Sequence, residues 1–395
     1  MISLEEVHKI VEKYDKSKIT IGTIGSHSAL DITDGAKDEG FETYAFCQKD
    51  REKPYTKYLK SKYLDGNLVC GCVDNAIVLN SFKEMLQKQE FMREKNMIIV
   101  PNRAFTVYVG EDQIENEFRV PLMGSRNMLR IEERGKRGEE GEEGEIADYY
   151  SLCEKGGIKT PKKLESPEEI DELGLVMVKL HHAKMKLERG FFTASTKKEY
   201  EEKAERLIKR GIITKEDLEK ARMEEYIIGP VFNFDYFYSL ISEELGDEPL
   251  ELLGIDWRFE SNLDGYIRLP AQQQLELPNS MKEPLYIVVG HNICTARESI
   301  LKYVFEIGEK FVKATQKYFK PGIIGAFCLQ TIIKPEMEPV VYDVAFRIGG
   351  GTNVHAFWGH PYGNVLWRKR MSSGRRTALE IKRAIKHNML EKIVT

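Results

Sequence analysis

The chain has 395 residues, of which 42% are hydrophobic and 31% charged, which is ordinary for a globular protein of two or three domains. Its 59 basic and 63 acidic residues give a net charge of -4, so bulk charge indicates no nucleic-acid partner, and no apolar run approaches the ~20 residues of a membrane span. The N-terminus has no signal-peptide pattern, so we expect a cytoplasmic protein whose six scattered cysteines are reduced thiols.

The first part of the chain is predicted to form a parallel sheet with helices on its faces. A helix over residues 3–16 precedes a buried strand at 19–24, a glycine-containing turn, a helix over 29–39 and a second strand at 41–46. This order is typical of α/β domains, whose ligands bind beyond the carboxyl ends of the strands, near helix N-termini. His27 lies at that position, so we predict that it contacts a ligand, with simple exposure beside a helix cap as the alternative.

The middle of the chain combines a charged run with a β-hairpin. Glycine and charged residues without apolar periodicity fill 132–145, which indicates a solvated loop near a domain boundary. A strand at 175–180 carries one lysine, Lys179, and 191–194 is predicted to be its hairpin partner. The other predicted elements are, in chain order, helix 83–95, strand 97–101, helices 197–210 and 215–222, strands 224–229, 231–238, 250–256, 265–269, 285–289, helix 296–318, strand 323–333 and a final helix from Ser372 to about residue 392.

A strand of β-branched and aromatic residues near the end of the chain, 340–353, carries an acid and ends in a glycine triplet. A carboxylate such as Asp343 within an apolar strand is costly unless a charged or polar group binds there. If this strand pairs with the preceding one, Gln330 and Asp343 converge on one Mg²⁺. Arg347 and Asn353 follow and can stabilise the charge of a transferring phosphoryl group.

Three residues on earlier strands are candidates for binding a nucleotide. The ammonium of Lys179 can reach phosphate oxygens as a point charge. Glu224 and Glu225 open a strand that can present backbone groups to adenine and a carboxylate to ribose. For each residue alone, a surface salt bridge is the alternative, but together they predict a site for Mg-ATP.

Segments in the same order along nearly the whole chain resemble one known family. They are 24–28 (IGSHS), 35–41 (GAKDEGF), 120–126 (VPLMGSR), 162–171 (KKLESPEEID), 224–229 (EEYIIG), 251–258 (ELLGIDWR), 260–265 (ESNLDG), 297–299 (RES), 327–330 (FCLQ) and 340–353 (VVYDVAFRIGGGTN). These segments resemble ATP-grasp ligases, and more closely the archaeal formate-dependent 5-formaminoimidazole-4-carboxamide ribonucleotide synthetase family of purine biosynthesis.

The resemblance implies an ATP-grasp fold of the α/β class, with α+β character in the C-terminal part. It implies a Rossmann-like N-terminal domain at 1–128, a small ATP-grasp lobe at 129–235 and a large lobe at 236–395. Members use ATP to activate formate, as formyl phosphate, for attack by the amine of 5-aminoimidazole-4-carboxamide ribonucleotide. A homo-oligomer without nucleic-acid or membrane partners is expected.

The resemblance also implies roles for individual residues. It assigns His27 and Arg347 to catalysis, with His27 and Asn262 contacting the aminoimidazole nucleotide. ATP would be held by Lys179, Glu224, Glu225 and Asn353, and Mg²⁺ or Mn²⁺ by Gln330 and Asp343.

Three departures from the family pattern qualify these expectations. The phosphate-covering loop at 181–190 lacks the expected glycines, which permit close backbone approach to phosphate. The family's His-Gly-Ser is replaced at 102–104 by Asn-Arg-Ala, and Asp343 stands where a Glu is expected. A diverged paralogue with another acid or amine substrate, or a non-catalytic nucleotide-binding homologue, is therefore an alternative. Nucleic-acid binding through the basic residues at 368–376 is a third, which the lack of interleaved aromatic residues disfavours.

Overall fold

The computed structural model describes residues 1–133, 146–180, 191–261, 263–278 and 287–395. Three parts of the sequence prediction lie outside these residues, namely most of the acidic run (134–145), the departure at 181–190 and Asn262. No helix in the described ranges has the length and apolar character needed to cross a membrane.

A parallel sheet organises the N-terminal region. Its elements are α1 (Leu4–Glu12), β1 (Thr20–Ile24), α2 (Ala29–Asp38), β2 (Glu42–Gln48), β3 (Lys62–Leu64), β4 (Asn67–Cys70), β5 (Asn75–Leu79), α3 (Gln89–Glu94), β6 (Met97–Ile99), α4 (Arg103–Val109) and α5 (Glu111–Asn116). Strands β5, β2, β1 and β6 pair in that order, all in parallel, which confirms the predicted α/β arrangement. Every residue of β1 is buried, as expected for an inner strand of a parallel sheet.

A small antiparallel sheet follows. Its region contains α6 (Tyr149–Lys155), β7 (Lys163–Leu164), α7 (Ile170–Leu173), β8 (Val176–Lys179), β9 (Phe192–Ala194), α8 (Lys197–Lys209), α9 (Lys215–Glu219) and β10 (Arg222–Glu225). The strand order is β7-β10-β8-β9, and the predicted antiparallel hairpin of β8 and β9 is confirmed. Val178, Phe192 and Leu207 share one apolar cluster, so α8 is packed against this sheet.

The C-terminal region is built on a larger antiparallel sheet. Its elements are β11 (Val231–Tyr238), α10 (Leu240–Leu245), β12 (Leu250–Glu260), α11 (Leu263–Tyr266), α12 (Ala271–Glu276), β13 (Val288–Cys294), α13 (Glu298–Tyr318), β14 (Gly325–Ile333), β15 (Pro339–Ala345), α14 (Pro361–Trp367) and α15 (Ser373–Lys386). The order is β13-β12-β11-β14-β15. Short non-α helical turns lie at Lys16–Lys18, Pro54–Tyr58, Phe82–Gln87, Arg126–Met128, Arg130–Glu132, Pro167–Glu169, Thr352–His355 and Leu390–Ile393.

The two faces of this larger sheet differ in chemistry. Because side chains alternate along a strand, Phe234 and Tyr236 of β11 point to one face, where they join a core cluster with Phe311 of α13. Asn233 and Asp235, on the same strand, point to the other face. The apolar face holds the sheet to α13, and the polar face is left for the site described below.

Helix α15 packs on α2 with almost no space between their backbones. A Cβ on Gly35 would lie 2.1 Å from the amide nitrogen of Arg375, and one on Gly374 would lie 2.1 Å from the carbonyl oxygen of Asp31. The N–H of Gly374 also donates to Oδ2 of Asp31 at 2.9 Å. This contact fixes the N-terminal sheet against the C-terminal part of the chain.

Several basic residues of the last α-helix are engaged in ion pairs. The guanidinium of Arg376 is fully buried and lies 2.8 Å from Glu251 and 2.9 Å from Glu380, and that of Arg375 lies 2.8 Å from Glu39. These charges are neutralised within the fold, which gives no support to the nucleic-acid alternative.

Four local predictions are wrong. The strand expected at 265–269 is instead α11 and a turn, because the Asp264 carboxylate accepts from the N–H of Glu260 and starts a helical turn. The helix expected over 83–95 is interrupted at Lys88, which has non-helical dihedral angles. The strand expected at 224–229 ends at Glu225. Glu132 is buried rather than part of a solvated loop, because two arginines pair with it.

Candidate active site

The polar face of the larger sheet carries a row of functional side chains. Asn233 is paired with Asp256 on one side and with Gln330 on the other, and Gln330 is paired with Asp343. Because paired residues point to the same face, these four side chains form one row across four strands. The two predicted metal ligands, Gln330 and Asp343, are therefore direct neighbours.

A cavity of about 270 Å³, called the inner cavity below, lies over this row. Its charged and polar lining includes His27, Arg103, Glu132, Glu133, Asn233, Asp256, Arg258, His291, Gln330, Asp343 and Arg347. These residues come from the N-terminal region, the start of the acidic run and the larger sheet, so the inner cavity lies where the three meet.

A second cavity of about 260 Å³, the outer cavity, lies between the small sheet and the larger one. It contains Lys179, Glu224 and Glu225 together with apolar side chains such as Met177, Ile227 and Ile332. Phe191, Arg258 and Asp343 line both cavities. The two spaces therefore share one wall.

Lys179 enters the outer cavity already paired. Its Nζ forms an ion pair with Glu224 and lies 2.9 Å from the hydroxyl of Tyr150. Glu224 also accepts from Tyr150 at 2.7 Å and from Nε of Arg222 at 2.9 Å. Both Lys179 and Glu224 are buried, so each charge is tolerated because the other compensates it. Tyr342 adds its ring, whose centroid lies 5.3 Å from Nζ of Lys179.

Arg347 and Arg103 share one carboxylate in the inner cavity. Glu132 forms an ion pair with Arg347, lies 3.1 Å from Arg103, and accepts from the N–H of Phe346 at 3.3 Å. Glu133 pairs with Arg103 as well. The Nε of Arg347 is buried and has no hydrogen-bond partner among the described residues, and the side chain lines the inner cavity.

His27 projects from a loop that several residues hold in place. Its backbone has a φ of 48°, a left-handed conformation that is uncommon for a residue other than glycine. The amide of Asn353 donates to the carbonyl oxygen of His27 at 2.6 Å and accepts from the N–H of Asp31 at 3.0 Å. The amide of Asn102 donates to the carbonyl oxygen of Ser26 at 2.9 Å. Such a clamp stabilises a strained backbone at a functional position.

The imidazole of His27 is solvent-accessible, yet it stands within the walls of the inner cavity. Desolvation by these walls, and then the charges of Arg347 and Arg103, lower the pKa of His27 to about 4. The ring is therefore neutral at pH 7 and has one nitrogen able to accept a proton.

A β-bulge places Tyr342 and Asp343 on one side of the strand. The register of β14 and β15 shifts after Gln330, so that Thr331 pairs with Val341 and Tyr342 is the extra residue. Consecutive side chains normally point to opposite faces, but both Tyr342 and Asp343 line the outer cavity. Arg258 donates to the hydroxyl of Tyr342, so the bulge also fixes the arginine in the shared wall.

The predicted site residues fall into three groups. Those in the inner cavity are His27, Gln330, Asp343 and Arg347, and those in the outer cavity are Lys179, Glu224, Glu225 and again Asp343. Asn353 lines neither cavity, and its amide is engaged by the His27 loop. Asn262 lies outside the described residues.

Sequence reasoning missed several residues of the site. The alternation of Asp256, Arg258 and Glu260 along a strand was a usable signal for a charged face. Glu132 could not be recognised from the sequence because it begins a run of Glu and Gly residues, and no local pattern distinguishes it from the other glutamates of that run. Tyr150 lies on a helix without any motif, so only the tertiary fold brings it to Lys179.

Known proteins resemble this chain over its full length. Two family models match it: a protein of unknown function (DUF1246) over residues 21–164 and a domain of unknown function (DUF1297) over residues 199–395. The 5-formaminoimidazole-4-carboxamide-1-(beta)-D-ribofuranosyl 5'-monophosphate synthetase of Methanocaldococcus jannaschii is 40% identical over 397 residues, covering 100% of each chain.

Two solved structures extend this likeness to the fold. An IMP biosynthesis protein, PurP, from Thermococcus kodakaraensis is 27% identical, with a TM-score of 0.67 over 95% of this chain and 100% of that one. The ADP complex of an N5-carboxyaminoimidazole ribonucleotide synthetase is 11% identical, with a TM-score of 0.55 over 89% of this chain and 78% of that one.

Proposed function

Because this chain belongs to the 5-formaminoimidazole-4-carboxamide ribonucleotide synthetase family, ATP-grasp ligases that form a carbon–nitrogen bond, we propose that it joins formate to the amine of 5-aminoimidazole-4-carboxamide ribonucleotide at the expense of ATP. The fold is that of the ATP-grasp proteins, as the sequence resemblance implied. The observation that carries the proposal is the pair of cavities joined at Arg258 and Asp343. A ligase of this kind needs one space for ATP and one for the acceptor. The γ-phosphoryl group is transferred at the boundary between the two spaces.

The outer cavity is suited to the adenine nucleotide. Met177, Ile227 and Ile332 offer apolar surfaces for a base, as expected of a small-molecule site. Glu225 is only half-buried, and among the described residues its ion-pair partner is Lys334 at 3.6 Å, so its carboxylate can still accept from ribose hydroxyls. Lys179 lies deeper and supplies a positive charge for phosphate oxygens. In this arrangement Glu224 holds Lys179 in position rather than touching the nucleotide.

The shared wall has the residues to hold a divalent metal ion. Gln330 and Asp343 present an amide and a carboxylate oxygen from paired positions, and Oδ1 of Asp343 accepts from the N–H of Val344 at 3.1 Å. Mg²⁺ needs only one or two protein ligands when phosphates supply the others, so the pair fits Mg²⁺, and Mn²⁺ equally. When bound, such an ion neutralises phosphate charge and orients the γ-phosphoryl group.

The inner cavity is suited to formate and the aminoimidazole nucleotide. Arg347 and Arg258 direct guanidinium groups into it, and the Nε of each has no partner among the described residues. Attack of a formate oxygen on the γ-phosphorus would release ADP and give formyl phosphate. Attack of the substrate amine on the formyl carbon would then release inorganic phosphate. Neutral His27 is placed to accept the proton that the amine loses.

Asn353 has a different role in this proposal from the nucleotide contact that the family resemblance implies. Its amide joins the segment after β15 to the backbone of His27 and Asp31. It is therefore a positioning residue for His27, and it contacts no phosphate.

The test is a complete reaction with purified full-length chain, ATP, Mg²⁺, formate and the aminoimidazole nucleotide. We expect ADP, phosphate and formylated nucleotide in equal amounts, and no sustained ADP release when formate or the nucleotide is omitted. ADP formation that ignores formate but requires another carboxylic acid would indicate the diverged-paralogue alternative. No ADP formation and no thermal stabilisation by Mg-ATP would contradict the ligase proposal.

A further inference from the structure

A second cluster of potential ligands lies beneath the floor of the inner cavity. Asp235 lies on β11, His355 ends the helical turn at Thr352–His355, and His360 immediately precedes α14. All three are buried, with 2%, 0% and 0% of their surfaces exposed, and none of them lines either cavity. The cluster is therefore separate from Gln330 and Asp343.

The ligand atoms of these three residues lie close together, and the two imidazoles stack on each other with their ring centroids 3.6 Å apart. Nε2 of His355, Nδ1 of His360 and both carboxylate oxygens of Asp235 make no hydrogen bond within the described part of the chain. One such atom from each residue lies within 4.8 Å of the others, and Nδ1 of His360 is 3.9 Å from Oδ2 of Asp235. A buried polar atom without a partner costs about 1–3 kcal/mol, so a convergent group of them is destabilising unless something binds there.

The second ring nitrogen of each histidine lies within hydrogen-bonding distance of an oxygen. Nε2 of His360 lies 2.8 Å from the hydroxyl of Ser373, and Nδ1 of His355 lies 3.4 Å from the carbonyl oxygen of Gly359. An imidazole that binds a metal typically donates its other N–H to an oxygen in this way, which fixes its tautomer and orientation. The second nitrogen of each ring is therefore held as in a metal-binding imidazole, and the two stacked rings must turn apart for both unpaired nitrogens to point at one ion.

The buried carboxyl of the cluster has a second carboxyl as its neighbour instead of a basic side chain. Among the described residues neither a lysine nor an arginine pairs with Asp235, and Asp256 is another buried carboxyl close to it. Burial, and then the neighbouring Asp256, raise the pKa of Asp235 well above its usual value, which favours the protonated carboxyl when no ion is bound, and the two neutral imidazoles supply no positive charge. A divalent cation would compensate both carboxyls.

The surrounding backbone leaves room for the cluster only because glycines face it. A Cβ on Gly254 would lie 2.2 Å from Nδ1 of His360, and one on Gly349 would lie 2.9 Å from Oδ1 of Asp235. The two glycines come from β12 and from the stretch after β15, so two separate parts of the chain make space for the same ligand atoms.

We propose that Asp235, His355 and His360 bind one divalent first-row transition-metal ion, of the Zn²⁺ type, as a structural site. Two imidazoles and one carboxylate favour such an ion over Mg²⁺ or Ca²⁺, which prefer oxygen ligands alone. With both oxygens of Asp235 the protein supplies four donor atoms, the usual number for structural zinc. Donor atoms at about 2.0–2.2 Å from one ion in a tetrahedral site lie roughly 3.3–3.6 Å apart, so binding must bring atoms that lie up to 4.8 Å apart closer by roughly 1.2–1.5 Å.

The proposed ion would tie the segment that contains both histidines to the larger sheet. That segment also contains Asn353, which holds the backbone of His27. Its two histidines lie within one short stretch of chain, so local opening of this stretch is enough to admit an ion. The ion takes no part in the ligase chemistry.

The test uses the full-length chain, stripped with a chelator, incubated with Co²⁺ or Zn²⁺ and desalted. We expect about one ion per chain by elemental analysis, and visible d–d absorption from Co²⁺ in a site of nitrogen and oxygen ligands. The double variant His355→Gln/His360→Gln should lose both signals. Two controls should keep them: His387→Gln, which removes a distant histidine, and Asp343→Asn, which removes the proposed Mg²⁺ ligand.

Several results would overturn the site. They are less than about 0.1 ion per wild-type chain after desalting, undiminished binding in the double histidine variant, or loss of the ion in Asp343→Asn alone. If the double variant does not fold, the absorption spectrum of the Co²⁺-loaded wild-type chain decides by itself, because a surface-bound aqueous ion lacks its intensity. None of these results depends on the ligase reaction, so the failure of one proposal leaves the other intact.

Discussion

The outer and inner cavities share Arg258 and Asp343 in one wall, but they compensate their charges differently. In the outer cavity Lys179 is matched by Glu224, which Arg222 and Tyr150 also hold, and much of the remaining wall is apolar. In the inner cavity the Nε atoms of Arg258 and Arg347 have no partner among the described residues.

This difference indicates that the two cavities have different functions. The outer cavity is complete without ligand and offers a base a dry surface, which suits binding. The inner cavity is lined by the positively charged side chains of Arg103, Arg258 and Arg347, which suits stabilisation of negative charge that develops during reaction. The predictions below separate the two cavities by changing one at a time.

The largest effect is expected from Arg347→Ala. Removing this guanidinium should lower turnover about 100- to 1,000-fold, because it takes away a donor aimed at developing phosphoryl charge. ADP affinity, measured by calorimetry, should stay within about 2-fold because ADP occupies the outer cavity. Arg347→Lys is the matched control and should lose less activity. An equal fall in ADP affinity and turnover would contradict the separation of the cavities.

The buried carboxyl of Asp31, which lies next to the His27 loop, should make the free energy of unfolding depend on pH. Burial raises the pKa of Asp31 to about 6 from an ordinary value of 3.8. A raised pKa means that its contribution to stability is complete below pH 3.8 and is lost as pH rises through 6. Relative to Asp31→Asn, the wild-type protein should therefore lose up to about 3 kcal/mol between pH 4 and 7, at 1.36 kcal/mol per pKa unit.

Urea unfolding of both proteins across this pH range measures the difference. A wild-type stability that rises relative to Asp31→Asn would contradict the assignment of a buried, protonatable carboxyl.

The ion pair of the outer cavity should matter for stability as well as binding. Lys179→Met leaves the buried Glu224 with Arg222 as its remaining charged partner, which we expect to cost about 2–3 kcal/mol, slightly less than the ~3–5 kcal/mol for breaking a buried pair completely. The double variant Lys179→Met/Glu224→Gln should regain much of the stability in thermal or urea unfolding. It should still fail to bind ATP, since the charge for the phosphates is absent. Recovery of ATP binding in the double variant would contradict the role given to Lys179.

The smallest effect is expected from Asn353→Ala. This change removes two hydrogen bonds to the backbone of the His27 loop, each worth about 0.5–1.5 kcal/mol. The KM for the aminoimidazole nucleotide should rise roughly 10-fold, while the KM for ATP stays nearly constant. A rise confined to ATP would instead favour the phosphate contact implied by the family resemblance.

The contrast between the cavities also explains what could be read from the sequence. Lys179 lies on a short apolar strand that its composition marks, and Gln330 and Asp343 face each other because their strands are neighbours in the chain. The strands that carry these residues could be predicted because short-range sequence patterns determine them. Short polar segments such as 265–269 could not, because a single side-chain contact from Asp264 decides between strand and helix.

The inner cavity was less predictable because its residues come together only through tertiary packing. Glu132 and Arg347 are 215 positions apart, and Arg103 reaches the same carboxylate from a helix of the N-terminal region. The histidines at 355 and 360 had no local pattern that marked them. Long-range electrostatic partners of this kind leave no periodic signal in the chain.

The central claim is that formate in the inner cavity attacks the phosphate held at the shared wall. Its most direct test is the complete reaction with ¹⁸O-labelled formate, followed by mass spectrometry of the inorganic phosphate. Transfer through formyl phosphate predicts that one oxygen of each released phosphate comes from formate. Formylated product accompanied by unlabelled phosphate would contradict the claim, since formate would then have reacted without receiving the phosphoryl group.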